Sequence, residues 1–92
     1  MLSQLPIDFT KVKKEELERE ICRLGMIAEL DATSLYEQMA AMTSSSKIRK
    51  ILLDIAKEEK THAGEFQALL LEVDKEQAKE LAEGKKEVEE KG

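Results

Sequence analysis

The chain contains few of the residues that mark strands, disulfide frameworks or membrane spans. It has 92 residues, with one proline, one cysteine and no tryptophan. The lone Cys22 cannot form an intramolecular disulfide, which is typical of the reducing cytoplasm. No segment combines β-branched residues with alternating polarity, so no strand is predicted. No apolar run approaches the length of a membrane span, and the first residues lack the basic and apolar regions of a signal peptide.

The residues that are abundant favour a helical, acidic protein. Alanine, leucine, glutamate and lysine dominate, and all four have high helix propensity. Acidic residues number 20 against 15 lysines and arginines, which gives a net charge of -5. This balance disfavours nucleic acid and anionic membranes as partners, and favours cations. The length predicts one domain with a small core.

The pattern of polar and apolar residues predicts an all-α chain in three parts. Residues 1–12 form a lead, residues 13–73 form an antiparallel hairpin of two long helices, and residues 74–92 form a short C-terminal helix with a charged tail. The first long helix is expected to begin near Lys13 and end at about Met42. The second is expected to cover about residues 47–73.

Loop and capping residues predict where the helices change. The serines after Thr43 are suitable N-caps for the second helix. Asp74-Lys75-Glu76-Gln77 resembles a capping box that opens the third helix, which is expected to end at Gly84. The charged segment 85–91 is left open, either helical or frayed. A two-helix hairpin cannot bury all of its apolar side chains, so we expect two hairpins to dimerise into a four-helix bundle.

A charged pair interrupts the apolar stripe of the second helix. At about 100° per residue, Glu59 lies near the centre of this stripe and His62 lies inside its edge. A carboxylate on a buried face is costly unless it finds a partner. Glu and His three residues apart on one helical face can bind a metal ion together. The stripe itself consists of Ile48, Leu52, Ile55, Ala56, Ala63, Phe66 and Leu70.

Glu29 is a second inward-leaning carboxylate, on the preceding helix. It shares a stripe with Cys22, Gly25, Ala32 and Tyr36, where small residues allow another helix to approach. Di-iron carboxylate bundles use four Glu and two His, with a Glu-x-x-His motif on each of two helices. One chain supplies half of this set, so two copies about a two-fold axis complete it. Carboxylates with imidazole suit iron or manganese, and zinc is a further candidate.

Other interpretations of the same residues remain open. Glu-x-x-His is a weak motif in a chain rich in glutamate, and most such matches are solvated helix surface. Glu59 and His62 would also fit a buried hydrogen-bond network in a non-catalytic oligomerisation module. A third alternative is a rubrerythrin-like peroxidase domain, although such chains normally carry both halves of the site.

Two blocks of this sequence resemble the encapsulated ferritins, the ferritin-like cargo proteins of encapsulin nanocompartments. The first block comprises Ala28-Glu29-Leu30-Asp31-Ala32 with Leu35-Tyr36-Glu37-Gln38-Met39-Ala40. The second runs from Ile48 to Phe66 and includes Glu58-Glu59-Lys60-Thr61-His62. The resemblance covers about residues 13–84, and the two blocks at this separation are more specific than Glu-x-x-His alone.

The resemblance implies a ferroxidase that acts inside a shell. Members of that family are hairpins that dimerise into a ferritin-like four-helix bundle around a di-iron site and assemble into rings, typically annular decamers. They oxidise Fe(II) to Fe(III) for mineral storage inside an encapsulin shell, in a nanocompartment of the cytoplasm. By position, Glu29, Glu59 and His62 match the family's catalytic metal ligands. Tyr36 matches an aromatic residue beside the site, and Asp31 matches an acid that guides incoming metal.

Two departures from the family pattern affect these expectations. A second acid that guides metal in some relatives is replaced by Ala28, which weakens the prediction of a secondary metal site. The C-terminal residues 87–92 do not resemble the short shell-targeting peptide of free cargo proteins. Either the chain has been shortened or it is the N-terminal cargo domain of a protein fused to its shell. The fusion is slightly favoured.

Overall fold

Three α-helices make up most of residues 8–92, the part of the chain described by a computed structural model. After two short 3-10 turns, α1 covers Leu17–Met42, α2 covers Ser46–Val73 and α3 covers Lys75–Lys91. Helices α1 and α2 pack against each other as an antiparallel hairpin. The predicted all-α fold is therefore confirmed. Most of the predicted lead, residues 1–7, lies outside the described residues.

The loop of the hairpin satisfies the polar groups at both helix ends. The Ser45 side chain accepts a hydrogen bond from the Ile48 N–H at 3.2 Å, which confirms the predicted N-cap. Arg49 donates from Nε to the carbonyl of Ala40 at 3.2 Å and from a second guanidinium nitrogen to the carbonyl of Thr43. The last carbonyls of a helix have no hydrogen-bond partner within it, so Arg49 satisfies two of them at the end of α1. A positive charge there also interacts favourably with the helix dipole.

The third helix is longer than the sequence predicts. Asp74 caps its start, because its Oδ1 accepts from the Gln77 N–H at 3.0 Å. The predicted stop at Gly84 is wrong, since α3 continues to Lys91. Glycine ends a helix when its backbone turns left-handed, and no described glycine has a positive φ. Without that turn, glycine costs the helix only about 1 kcal/mol relative to alanine, which good helix formers on either side offset.

Helix α3 is attached to the hairpin mainly at its base. One nitrogen of Arg23 on α1 lies 3.1 Å from Asp74 Oδ2 and 3.4 Å from Gln77 Oε1. The Gln77 side chain thus contacts Arg23, and the first half of the predicted capping box is present. No residue of α3 is buried. An open apolar groove of about 340 Å³ separates α3 from α1, lined by Arg23, Met26, Ile27, Leu30, Leu70, Gln77 and Leu81.

The hairpin buries a small core and leaves large apolar side chains exposed. The buried apolar residues among those described are mostly small: Cys22, Ala40, Ala56, Ala63 and Leu70. Exposed ones occur on all three helices and include Leu17, Ile21, Leu30, Ile48, Ile51, Leu69, Val73 and Val88. Contiguous exposed apolar surface commonly marks an interface. None of the described helices has the length and apolarity that crossing a membrane requires.

Candidate metal centre

Small residues on the facing sides of α1 and α2 let the two helices approach closely. The buried residues of α1 are Cys22, Thr33 and Ala40. Those of α2 include Ala56 and Ala63. Because the interface between α1 and α2 is narrow, long side chains at its edge on one helix lie next to those on the other. This is the setting in which Glu29 of α1 meets two residues of α2.

Thr33 supports the backbone beneath Glu29. Its hydroxyl donates a 2.8 Å hydrogen bond to the Glu29 carbonyl oxygen one turn earlier, and its side chain is buried. Such bonds to the carbonyl four residues back satisfy a buried hydroxyl and bend helices slightly. Sequence reasoning missed this residue. The available signal was a hydroxyl residue four positions after Glu29 in a stripe of small residues.

Glu29, Glu59 and His62 form one cluster at the edge of the seam. The Nδ1 atom of His62 lies 3.5 Å from Glu29 Oε2 and 3.6 Å from Glu59 Oε2. One ligand atom from each residue lies within 4.8 Å of the others. Both carboxylate side chains are 19% exposed, and the imidazole is 46% exposed. The structure thus brings together the three residues that the sequence singled out, with the imidazole on the open side.

The two carboxyl groups are held where they repel each other. Glu29 Oε2 is buried, and its 3.5 Å contact with His62 Nδ1 lacks the geometry of a hydrogen bond. The pKa of Glu29 is raised, first because a protonated Glu29 could donate a hydrogen bond to the Glu59 carboxyl, then by burial, then by the Glu59 charge. Burial opposes protonation of His62, but the charges of Glu29 and Glu59 outweigh it and raise the pKa of the imidazole. Both pKa shifts have the same consequence, because a proton or another positive charge between the two acids would be stabilised there.

Glu59 and His62 occupy adjacent positions of a heptad pattern along α2. Residues spaced alternately by four and three form a seam that a partner helix can cover. The carboxylate and the imidazole lie in the middle of this seam, and the flanking side chains near both ends are exposed. The centre of the buried face lies instead at Ala56, Ala63 and Leu70, so Glu59 is nearer the edge than predicted. The full seam is Ile48, Leu52, Ile55, Glu59, His62, Phe66, Leu69 and Val73.

The other predicted site residues lie near the cluster on α1. Tyr36 is half-buried two turns after Glu29, and Asp31 is half-buried two positions after Glu29. Neither belongs to the group of ligand atoms described above. Their roles beside the metal and in guiding it remain predictions. An ion pair between Lys60 Nζ and Glu37 Oε2, at 2.9 Å, also bridges the interface between α1 and α2.

Comparison with known proteins places the chain in a family. Residues 8–91 match the family model described as Rubrerythrin. The fold is similar to the crystal structure of an encapsulated ferritin domain from Pyrococcus furiosus, with a TM-score of 0.82 and 53% sequence identity. That match covers 98% of this chain and 94% of the other. The chain belongs to the encapsulated ferritins, within the rubrerythrin family.

Curated relatives of this encapsulated ferritin are longer than it is. It is 61% identical over 77 residues to the ferritin-like-encapsulin shell fusion protein of Pyrococcus furiosus, covering 84% of this chain and 22% of that protein. It is 40% identical over 68 residues to the encapsulin nanocompartment cargo protein EncC of Myxococcus xanthus, covering 74% of this chain and 52% of that one. The chain spans between about a fifth and about half of their lengths.

Proposed function

We propose that this chain is a ferroxidase that oxidises Fe(II) to Fe(III) at a di-iron site shared by two copies. The observation that carries the proposal is the convergence of Glu29, Glu59 and His62, with a buried Glu29 oxygen that lacks a partner. An acid pair with raised proton affinity is a site that a cation can stabilise. Carboxylate oxygens with one imidazole suit iron, and the cluster contains no thiolate.

The single chain offers half of the ligands, which favours a site between copies. Bundle di-iron sites need four Glu and two His. The heptad seam of α2 places Glu59 and His62 between apolar side chains that one copy leaves exposed, including Ile48 and Val73. A two-fold partner that covers this seam would bury those side chains and duplicate the ligands. The apolar stripe and the metal ligands therefore favour the same partner, a second copy of the chain.

In this proposal the ligands divide the work by position. Glu59 lies on the α2 stripe that a second copy would cover, so both copies of Glu59 would be shared by the two irons, whereas Glu29 and His62 would complete the ligand set from their own copy. The carboxylates favour Fe(III) over Fe(II), because the higher charge interacts more strongly with anionic ligands. Two adjacent Fe(II) ions supply two electrons to oxygen in one encounter. The ligands release their protons on binding iron, since only the deprotonated forms coordinate.

A second apolar surface supports a larger assembly. This is the groove between α1 and α3, whose lining includes Met26, Ile27, Leu30 and Leu81. Two separate interaction surfaces allow dimers to join further copies, which supports a ring such as the annular decamer implied by the resemblance. Because one relative is a fusion with an encapsulin shell protein and another is an encapsulin cargo protein, we propose an encapsulin shell partner in a cytoplasmic nanocompartment.

An aerobic Fe(II) titration followed by absorbance, with oligomer mass measured before and after, tests the proposal. Glu59→Ala should abolish fast oxidation and bound iron, and should also remove the iron-dependent part of dimer formation, because metal bound at an interface stabilises it by mass action. Glu58→Ala is the matched control, since this neighbouring side chain is exposed. A Glu59→Ala protein that oxidises iron at the wild-type rate would sink the assignment.

The same titration separates the two alternatives. A rubrerythrin-like peroxidase, an alternative that is compatible with the family match, would oxidise its iron faster with hydrogen peroxide than with oxygen. A non-catalytic oligomerisation module would hold no iron, and its oligomer mass would not change. About one iron per chain, lost in Glu59→Ala, supports the ferroxidase.

A further inference from the structure

Gly25 occupies the middle of α1, where helix propensity disfavours glycine. Its backbone does not require it, because no described glycine has a positive φ. What requires it is the ring of Phe66 on α2. A Cβ atom at position 25 would lie 2.6 Å from Phe66 Cγ and closer still to other ring atoms. Ordinary contacts between carbon atoms are about 3.5–4.0 Å, so the ring occupies the space that any larger residue would need.

This contact lies one helical turn from the candidate metal centre. Gly25 precedes Glu29 by four residues, and Phe66 follows His62 by four. In an antiparallel pair these two steps run in the same direction, so Gly25 faces Phe66 at one level and Glu29 faces His62 at the next. A turn rises about 5.4 Å, and both helices are continuous over this distance. The separation of the helices at the contact is therefore passed on to the ligands.

We propose that Gly25 and Phe66 form a spacer pair that sets the separation of α1 and α2 at the metal centre. They are positioning residues for the proposed ferroxidase reaction, on which this inference rests, and neither supplies a ligand atom. The ring lies against the bare backbone of α1 and sets how close the helices come. That distance lets Glu29 reach across the interface between α1 and α2, so that its Oε2 lies 3.5 Å from His62 Nδ1. Two ring atoms would lie within 2.5 Å of a Cβ atom at position 25, so a side chain there would push the helices apart by about 1 to 1.5 Å if the ring kept its place.

Gly64 provides a matched control within the same hairpin. It lies inside α2, and a Cβ atom there would meet nothing within 4 Å. Gly64→Ala and Gly25→Ala therefore raise helix propensity equally, and only the second overlaps a ring. We expect Gly64→Ala to bind Co(II), a probe that needs no oxidation step, as the wild type does. Gly25→Ala should lose about 10- to 100-fold in Co(II) affinity, the range typical of groups that orient metal ligands.

A compensating change tests spacing separately from folding. Phe66→Ala removes the Cγ, Cδ1 and Cε1 atoms that the new methyl group would meet. The Gly25→Ala/Phe66→Ala double variant should therefore bind Co(II) to within about threefold of Phe66→Ala alone, as expected for coupled neighbours. Calorimetric Co(II) titration and thermal unfolding of each variant measure this. The inference is overturned if Gly25→Ala binds Co(II) as the wild type does. It is equally overturned if the double variant binds Co(II) more than about threefold more weakly than Phe66→Ala alone, whether or not Gly25→Ala folds.

The wild type and Glu59→Ala, titrated alongside, separate this inference from the proposed function. If the wild-type chain does not bind Co(II), or if Glu59→Ala binds it equally well, the metal centre itself is wrong and the spacer role falls with it. If both behave as proposed and Gly25→Ala binds normally, the spacer pair alone is refuted.

Discussion

Replacing Glu29 by glutamine should stabilise the metal-free protein while weakening its metal site. Glu29 Oε2 is buried without a hydrogen-bond partner, and the neighbouring Glu59 carboxyl raises the pKa of Glu29. An unsatisfied buried polar atom costs about 1–3 kcal/mol. Glutamine keeps the shape, removes one negative charge and puts an amide donor where the unpaired oxygen lay. The nearby acceptors are a Glu59 carboxylate oxygen, within 4.8 Å, and, when neutral, His62 Nδ1 at 3.5 Å.

The expected size of the effect follows from that unpaired atom. We expect Glu29→Gln to raise the free energy of unfolding of the metal-free chain by about 1–2 kcal/mol, the lower part of the cost of an unsatisfied buried group. For a chain of this length each kcal/mol shifts Tm by about 4–8 °C, so the increase should be roughly 4–16 °C. The wild type should be stabilised by Co(II), by about 2.7 kcal/mol at 100 times Kd, and Glu29→Gln should lose most of this gain.

The assay is thermal unfolding followed by circular dichroism, with chelator and then with Co(II). Glu80→Gln is a suitable control because Glu80 is exposed on α3, and its effect should stay within about 0.5 kcal/mol. The gain from Glu29→Gln should shrink in acid, where the wild-type carboxyl holds its own proton. The reasoning is refuted if Glu29→Gln lowers the Tm of the metal-free protein, or if it retains the full stabilisation by Co(II).

Two further predictions concern pH and the partner surface. The pKa values of Glu29 and His62 are raised above their ordinary values of 4.5 and 6.5, so the folded chain holds these protons more tightly than the unfolded chain. The stability that these groups give the metal-free chain is therefore greatest in acid and falls as the pH rises through each raised pKa. Stabilisation by Co(II) should grow over the same pH range. Thermal unfolding with and without Co(II), from about pH 4 to 8, checks both directions. Separately, Ile51 is 58% exposed beside the apolar stripe of α2, and Ile51→Glu would place a charge there. This variant should weaken dimers at least about tenfold in sedimentation analysis. The helical content of the chain should stay unchanged. Dimers of wild-type strength in that variant would place the partner surface elsewhere.

Several features of this protein follow from local sequence. The hairpin follows from the apolar periodicity of α1 and α2, and Ser45 and Asp74 cap helices because their side chains bond the nearby N–H groups. Glu59 and His62 share a face because residues three apart on a helix always do. Gly84 shows the limit of such local reasoning. Glycine permits a helix to end without forcing it, and α3 continues past it.

The tertiary structure decided the relations between helices, which residue spacing along one helix does not contain. The sequence places Glu29 on one helix and Glu59 with His62 on another, but only the packing of α1 against α2 brings their ligand atoms within 4.8 Å. The same packing leaves Glu29 Oε2 unpaired and seats the Phe66 ring on Gly25. The physical reason is that helix periodicity fixes direction around one axis, whereas the distance between two axes depends on the volumes that meet across the seam.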